Sequence, residues 1–213
     1  MSNEATKAGF VAVIGAPNAG KSTLVNHLVG VKVSIVTHKV QTTRTRIRGV
    51  CMHGASQIIF VDTPGIFEPK RKLDRAMVEA AWLGADDADL IVFLYDVTRR
   101  EVDSDTSRIL SGLKNNNKEA ILVLNKIDLV KSELLLPITK RFQKENIFSD
   151  TFMISAENGS GCKKLLEYLS ARMPDSPWLY PEDEVSDLPQ RLLAAEITRE
   201  QLLLKLHQEL PYG

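Results

Sequence analysis

The chain has little that would commit it to a charged surface, a membrane or an oxidising compartment. Its 27 Lys and Arg residues balance 27 Asp and Glu. No global basic charge therefore marks a nucleic-acid binder, and any RNA contact must come from a local patch or from further sequence. Only two cysteines occur, Cys51 and Cys162, far apart and in unrelated contexts. Their spacing excludes a metal knuckle and a disulfide framework, and both read as reduced thiols. No apolar run approaches the ~18 residues that would span a bilayer. The polar opening MSNEATKAG lacks the apolar core of a signal peptide. A cytoplasmic protein is expected, with peripheral contact at the inner face of the cell membrane left open. Internal repeats and low-complexity tracts are missing as well.

What is present is ordinary globular material, 44% hydrophobic and 25% charged over 213 residues, enough for one α/β domain and a modest appendage. Short apolar runs alternate with amphipathic stretches, the pattern of βαβ units around a mostly parallel sheet. The runs predict strands at Phe10–Ile14, Ile47–Met52, Gln57–Val61, Leu90–Tyr95, Ala120–Leu124 and Thr151–Ile154. Only His53–Ser56 separates the second and third, too short for a helical crossover, so an antiparallel edge hairpin is expected there. Five principal helices are expected at Lys21–Leu28, Lys72–Gly84, Ser104–Lys114, Glu133–Gln143 and Cys162–Arg172. The fold class is thus α/β with a six-stranded mixed sheet. The main domain is placed at residues 9–173. A proline- and acid-rich linker follows over 174–189, then a leucine-rich helix within 190–213 that must dock on something to bury its apolar side.

Four motifs end four of these strands. Gly15-Ala16-Pro17-Asn18-Ala19-Gly20-Lys21-Ser22 fits the phosphate-binding pattern G-x-x-x-x-G-K-[ST] between a strand and a helix, and Thr23 continues it. Its glycines let backbone N–H groups turn inward around phosphates, and the helix N-terminus adds partial positive charge. Lys21 is assigned to the β- and γ-phosphates and the Ser22 hydroxyl to Mg²⁺. In Asp62-Thr63-Pro64-Gly65, Asp62 is assigned to Mg²⁺ through a water and the Gly65 N–H to the γ-phosphate. In Asn125-Lys126-Ile127-Asp128, the Asp128 carboxylate matches the N1–H and exocyclic amine of guanine. Adenine offers no such donor pair, so GTP is expected over ATP. Asn125 should tie neighbouring loops together, and the Lys126 stem should lie over the purine. Ser155-Ala156 completes the set, with the Ala156 N–H assigned to guanine O6.

Together, GAPNAGKSTLVN, the stretch His38-Lys-Val-Gln-Thr-Thr-Arg-Thr-Arg46, DTPGIF and NKIDLV resemble the bacterial Era family of GTPases, over roughly residues 9–210. The resemblance implies that Thr42 or Thr43 contacts Mg²⁺ and the γ-phosphate; Thr43 is preferred, although adjacent threonines are not separable by sequence. Lys39, Arg44, Arg46 and Arg48 read as a solvated basic loop. Where Ras-like proteins have a water-orienting glutamine, this chain has Ile66, so slow intrinsic hydrolysis is expected. Asn18 stands where some relatives bind K⁺, making it a candidate catalytic position beside Lys21, Thr43 and Gly65. The family implies a switch in small-subunit (30S) ribosome assembly and 16S rRNA processing, acting as a monomer, with a KH-type RNA-binding domain after the GTPase domain. A KH fold needs G-x-x-G, which does not occur here, so only the opening of such a domain is expected in 190–213, as in a fragment of a longer protein. Two alternatives remain: a GTP-sensing module acting through a partner protein or membrane surface, and a related tRNA-modification GTPase.

Overall fold

The computed structural model of the chain describes residues 5–36, 47–69, 72–99, 101–186 and 190–205. Among these, the strands are β1 (Lys7–Ile14), β2 (Ile47–His53), β3 (Ser56–Asp62), β4 (Leu90–Asp96), β5 (Ala120–Asn125) and β6 (Phe148–Met153). The α-helices are α1 (Lys21–Val29), α2 (Lys72–Asp86), α3 (Ser104–Asn115), α4 (Leu135–Gln143), α5 (Cys162–Ala171) and α6 (Gln190–Lys205). The sheet runs β2-β3-β1-β4-β5-β6, parallel throughout except for β2, which pairs antiparallel with β3 at the edge.

Alternate residues of each strand face opposite layers, and the central strands are covered on both sides, which is why they read as continuous apolar runs. Val11, Val13, Phe60, Leu94 and Val123 pack beneath Leu24, Val25 and Leu28 of α1 and Leu165 and Leu169 of α5. Ala12, Ile14, Phe93, Tyr95, Leu122 and Leu124 face Ala81 of α2, Ile109 and Leu113 of α3, and Phe142 of α4. Each such aliphatic or aromatic side chain contributes about 1.5–3 kcal/mol by leaving water. The chain builds β3 on one side of β1 and β4 on the other, so a crevice opens at the carboxyl ends of these strands, the usual ligand position in such sheets.

Several boundaries differ from the expected ones. The first helical turn near residue 133 is a separate 3-10 turn, Ser132–Leu134, and α4 begins at Leu135. Pro137 sits in its first turn, where a missing N–H costs nothing. Strand β6 starts at Phe148, paired with Ala120, and not at Thr151, since its first residues are largely exposed and carry almost no apolar signal. Strand β1 starts at Lys7, extended by a backbone bond from Ala8 N–H to the Pro174 carbonyl (3.1 Å).

That bond belongs to a longer feature. The linker following α5 lies as a strap along the β2–β3 hairpin. Gln57, wholly buried, donates to the Tyr180 carbonyl (2.8 Å) and accepts from the Leu179 and Tyr180 N–H groups (2.8 and 2.9 Å). Trp178 Nε1 donates to the Ala55 carbonyl (3.1 Å), and Val50 N–H to the Val185 carbonyl (2.9 Å). Arg48, expected in solvent, instead donates to the Tyr180 hydroxyl (3.3 Å) and stacks over the Phe10 ring at 5.6 Å, a cation–π distance. Beyond the strap, α6 is tied back by Glu200, which is buried. Its carboxylate binds Lys32 Nζ and accepts from Val36 N–H (2.8 Å). Leu192, Ile197 and Leu202 of α6 are exposed.

Candidate nucleotide site

The loop from Gly15 to Gly20 leaves the end of β1 and opens α1. Asn18 (φ 62°) and Gly20 (φ 98°) both take left-handed backbone conformations. Gly20 has no alternative: a Cβ there would lie 2.4 Å from Asn125 Nδ2. It also caps α1 without a side-chain hydrogen bond, and the first helical turn carries no acid. The N-terminal N–H groups and their partial positive charge therefore face the loop. Ala16 and Ala19 are buried, Pro17 and Thr23 partly so, and Asn18 is exposed.

Lys21 crosses the loop, with Nζ donating to the Gly15 and Ala16 carbonyls at 3.1 Å each. Burial lowers its pKa to about 8; the Asp62 charge opposes the shift and the Arg99 charge adds to it. The unfolded chain holds this proton up to the ordinary value near 10.5. Between pH 8 and 10.5 the unfolded state thus binds more protons, and stability should rise with pH, by up to about 3 kcal/mol. Denaturant unfolding at pH 7.5 and 10 checks this; Lys21→Met should lose the rise, and an equal rise in that variant would assign it elsewhere.

Beneath Lys21, the Ser22 hydroxyl donates to Asp62 Oδ2 (2.8 Å). The Ser34 hydroxyl donates to the same oxygen (2.5 Å). Asp62 is wholly buried at the end of β3. Hydroxyl and carboxylate oxygens are the hard donors Mg²⁺ takes, usually one or two from protein with the remainder from phosphates and water. The Ser22 hydroxyl and Asp62 carboxylate are a donor set of that kind. Thr42 and Thr43 lie outside the described residues.

After Asp62, the Thr63 hydroxyl donates to the Val13 carbonyl (2.8 Å), and Pro64 is buried. Gly65 abuts the loop so closely that a Cβ would sit 3.1 Å from Pro17 backbone atoms. Ile66 N–H donates to the Gly15 carbonyl (3.2 Å), and its side chain is wholly buried among Ile14, Ala16 and Ala81. The residue standing at the glutamine position is thus a core residue turned away from water.

At the far side of the crevice, Asn125 ends β5. Its Nδ2 donates to the Ala19 carbonyl (2.8 Å), and its Oδ1 accepts the Ala156 N–H (2.9 Å). One buried amide therefore fastens the phosphate loop to the loop after β6. The Ala156 N–H, assigned to guanine O6, is engaged by Asn125, so donation to a base requires that bond to be shared. Lys126 adopts a left-handed conformation (φ 67°), and its Nζ donates to Asp96 Oδ2 (2.6 Å). Ile127 and Asp128 form a 3-10 turn, with Asp128 exposed. The turn is held by Ile127 N–H to the Ile154 carbonyl (3.2 Å). Ser155 is buried, its N–H on the Ser160 carbonyl (2.9 Å). Phosphate loop, carboxylate-ended strand and base loop are thereby collected at one crevice.

The 50S ribosome-binding GTPase family model matches residues 10–126. GTPase Era of Rhizobium meliloti (strain 1021) is 60% identical over 208 residues, covering 98% of this chain and 66% of that protein. The chain belongs to the Era family of GTPases. It spans about two thirds of the length of the Era proteins it matches. Among solved structures, Era in complex with MgGDPNP and nucleotides 1506–1542 of 16S ribosomal RNA superposes with a TM-score of 0.89 at 41% identity. That match covers 97% of this chain and 70% of that one. An Aquifex aeolicus Era variant bound to GDP·AlF4⁻ superposes at 0.88, again with 41% identity and the same coverage.

Three residues of this Era-family site carry little or no local signal in sequence. Asp96 orients Lys126, Ser34 shares Asp62 with Ser22, and Arg99 donates to the Pro17 carbonyl (2.6 Å). Asp96 alone had a faint mark, an acid at the end of an apolar strand.

Proposed function

We propose that this chain binds GTP with Mg²⁺ in the crevice described above and hydrolyses it to GDP and phosphate as a molecular switch. The observation that carries this reading is the Asn125 amide, which joins phosphate loop and base loop at 2.8 and 2.9 Å. Loops fixed in this way bind one ligand carrying both a polyphosphate and a base. Lys21 and the loop N–H groups hold the β- and γ-phosphates, and Asp128 accepts from the guanine N1–H and amine. Ser22, Asp62 and Thr43 hold Mg²⁺, which when bound offsets phosphate charge. The Gly65 N–H senses the γ-phosphate.

On this reading residues 9–173 form the GTPase domain, 174–189 the linker, and 190–213 the opening of a KH-type domain. The switch serves small-subunit assembly and 16S rRNA maturation in the cytoplasm. The RNA-bound Era relative supports the partner. No helix among the described residues is long and apolar enough to cross a membrane; peripheral contact with the inner face of the cell membrane stays part of this reading. The buried Ile66 favours slow unaided turnover, and with it a second reading as a GTP-sensing module. A K⁺ ion beside Asn18 would supply the missing charge compensation.

GTP turnover measured alongside ATP, in K⁺ and in Na⁺ buffers with Mg²⁺, tests the proposal. Turnover of GTP alone, faster in K⁺, is expected. Equal use of ATP defeats the guanine assignment. Equal rates in both salts, or an Asn18→Ala variant that keeps the difference, defeat the K⁺ role. Tight GTP binding without turnover moves the protein to the sensing module.

A further inference from the structure

Arg99 follows β4, and its backbone is fixed in a turn: its N–H donates to the Asp96 carbonyl (3.2 Å) and its carbonyl accepts the Tyr95 hydroxyl (3.3 Å). The side chain is only about a quarter exposed, at 24%. One guanidinium nitrogen donates to the Pro17 carbonyl (2.6 Å), and the other binds the Asp103 carboxylate. Asp103 is itself tied to α3, its second oxygen capping the helix by accepting Thr106 N–H (2.8 Å). A planar fork held between a helix cap and a loop carbonyl is a task suited to arginine and unsuited to lysine.

The Pro17 carbonyl shares its peptide plane with the Asn18 N–H. None of the described peptide bonds is cis, so the two groups point in opposite directions. A carbonyl anchored on Arg99 therefore fixes the Asn18 N–H in the opposite direction within that plane, away from Arg99, and a phosphate loop works by the direction in which it presents such N–H groups. The next residue, Asn18, sits at φ 62°, a left-handed conformation that asparagine adopts more readily than other side-chain-bearing residues. Pro17 also closes on Gly65, where a Cβ would come within 3.1 Å of its ring and backbone. The segment after Gly65 docks on the same corner, with Glu68 N–H donating to Asp105 (3.1 Å).

We propose that Arg99 is a positioning residue for GTP hydrolysis: by pinning the Pro17 carbonyl to the start of α3, it fixes the Asn18 N–H and the Gly65 contact in the arrangement that the transferring phosphoryl group requires. The proposal rests on the GTPase reading above. Arg99 touches no reacting atom; it acts through the Pro17–Asn18 peptide. Misplacing a group at the γ-phosphate affects the reacting geometry far more than the binding of a diphosphate. Arg99→Ala should therefore lower kcat about tenfold to a hundredfold, with KM and GDP affinity changed by less than about threefold.

The test uses the whole chain, with unaltered protein, Arg99→Ala and Arg99→Lys side by side. Arg99→Lys should remain impaired, and millimolar guanidinium should restore turnover to Arg99→Ala, a rescue that a generally loosened fold would not show. An unchanged kcat in Arg99→Ala overturns the proposal. So does a kcat loss matched by an equal loss of GDP affinity and no guanidinium rescue. If the unaltered chain does not turn GTP over, the GTPase reading fails by itself, and Arg99 is then judged by affinity for GDP with aluminium fluoride relative to GDP alone. A tenfold fall of that ratio in Arg99→Ala sustains the positioning role; an unchanged ratio overturns it.

Discussion

Asn125→Ala should cost this protein about 2–6 kcal/mol of stability and nearly all of its nucleotide affinity. The side chain is 2% exposed and makes both of its bonds to backbone groups of other loops. Truncation leaves the Ala19 carbonyl and the Ala156 N–H without partners in a site closed to water, at about 1–3 kcal/mol each. It also frees the two loops from each other, so the nucleotide must order them on binding. Urea unfolding with and without GDP checks both effects. Asn125→Asp separates the two bonds: it keeps an acceptor for Ala156 but places negative charge against the Ala19 carbonyl. It should recover little. A midpoint unchanged in Asn125→Ala would show that the loops are held by other means.

The second large effect sits three residues on and has the opposite character. Asp128 is exposed on its 3-10 turn, and Asp128→Asn should leave the unfolding free energy within about 0.5 kcal/mol. Its effect should fall on the choice of base. A carboxylate accepts from both the N1–H and the 2-amino group of guanine, whereas an amide offers one acceptor and one donor. The donor faces the amine in GTP and the 2-oxo group in XTP. GTP affinity should drop about 10³-fold or more, with XTP gaining, since sites built for a particular hydrogen bond discriminate at about 10⁴–10⁵. Competition between GTP and XTP decides it. A variant that still prefers GTP would remove Asp128 from the base-reading role.

The contrast between these neighbours marks what sequence could and could not reveal. The motifs are legible because each is a fixed set of residue types at fixed spacing, at strand ends that the apolar runs also mark. The hairpin at β2–β3 was legible because a four-residue gap permits only an antiparallel turn. Side chains that act through distant partners left no such trace. Nothing local distinguishes Asp96 as the acid for Lys126, or Arg99 as the arginine for Pro17, since the pairs are separated by 30 and 82 residues. The start of β6 escaped because an edge strand with exposed residues lacks the apolar continuity that marks β1 or β5. Local pattern alone places Arg48 in solvent for a related reason: its partners, Tyr180 and Phe10, come from segments distant in sequence.

The strap from residue 174 to 186 has a further meaning for the life of the sheet. An open outer strand offers unpaired backbone groups to any passing extended chain, the usual route to edge-to-edge association. Strand β2 is that outer strand, and the Val50 N–H, which would otherwise face outward, is taken by Val185, while Gly49 bridges Ser186. Gln57 locks the covering segment in place from within. The segment that connects the sheet domain to α6 thus also serves as its selvedge, keeping the woven edge of the sheet from joining that of a neighbour.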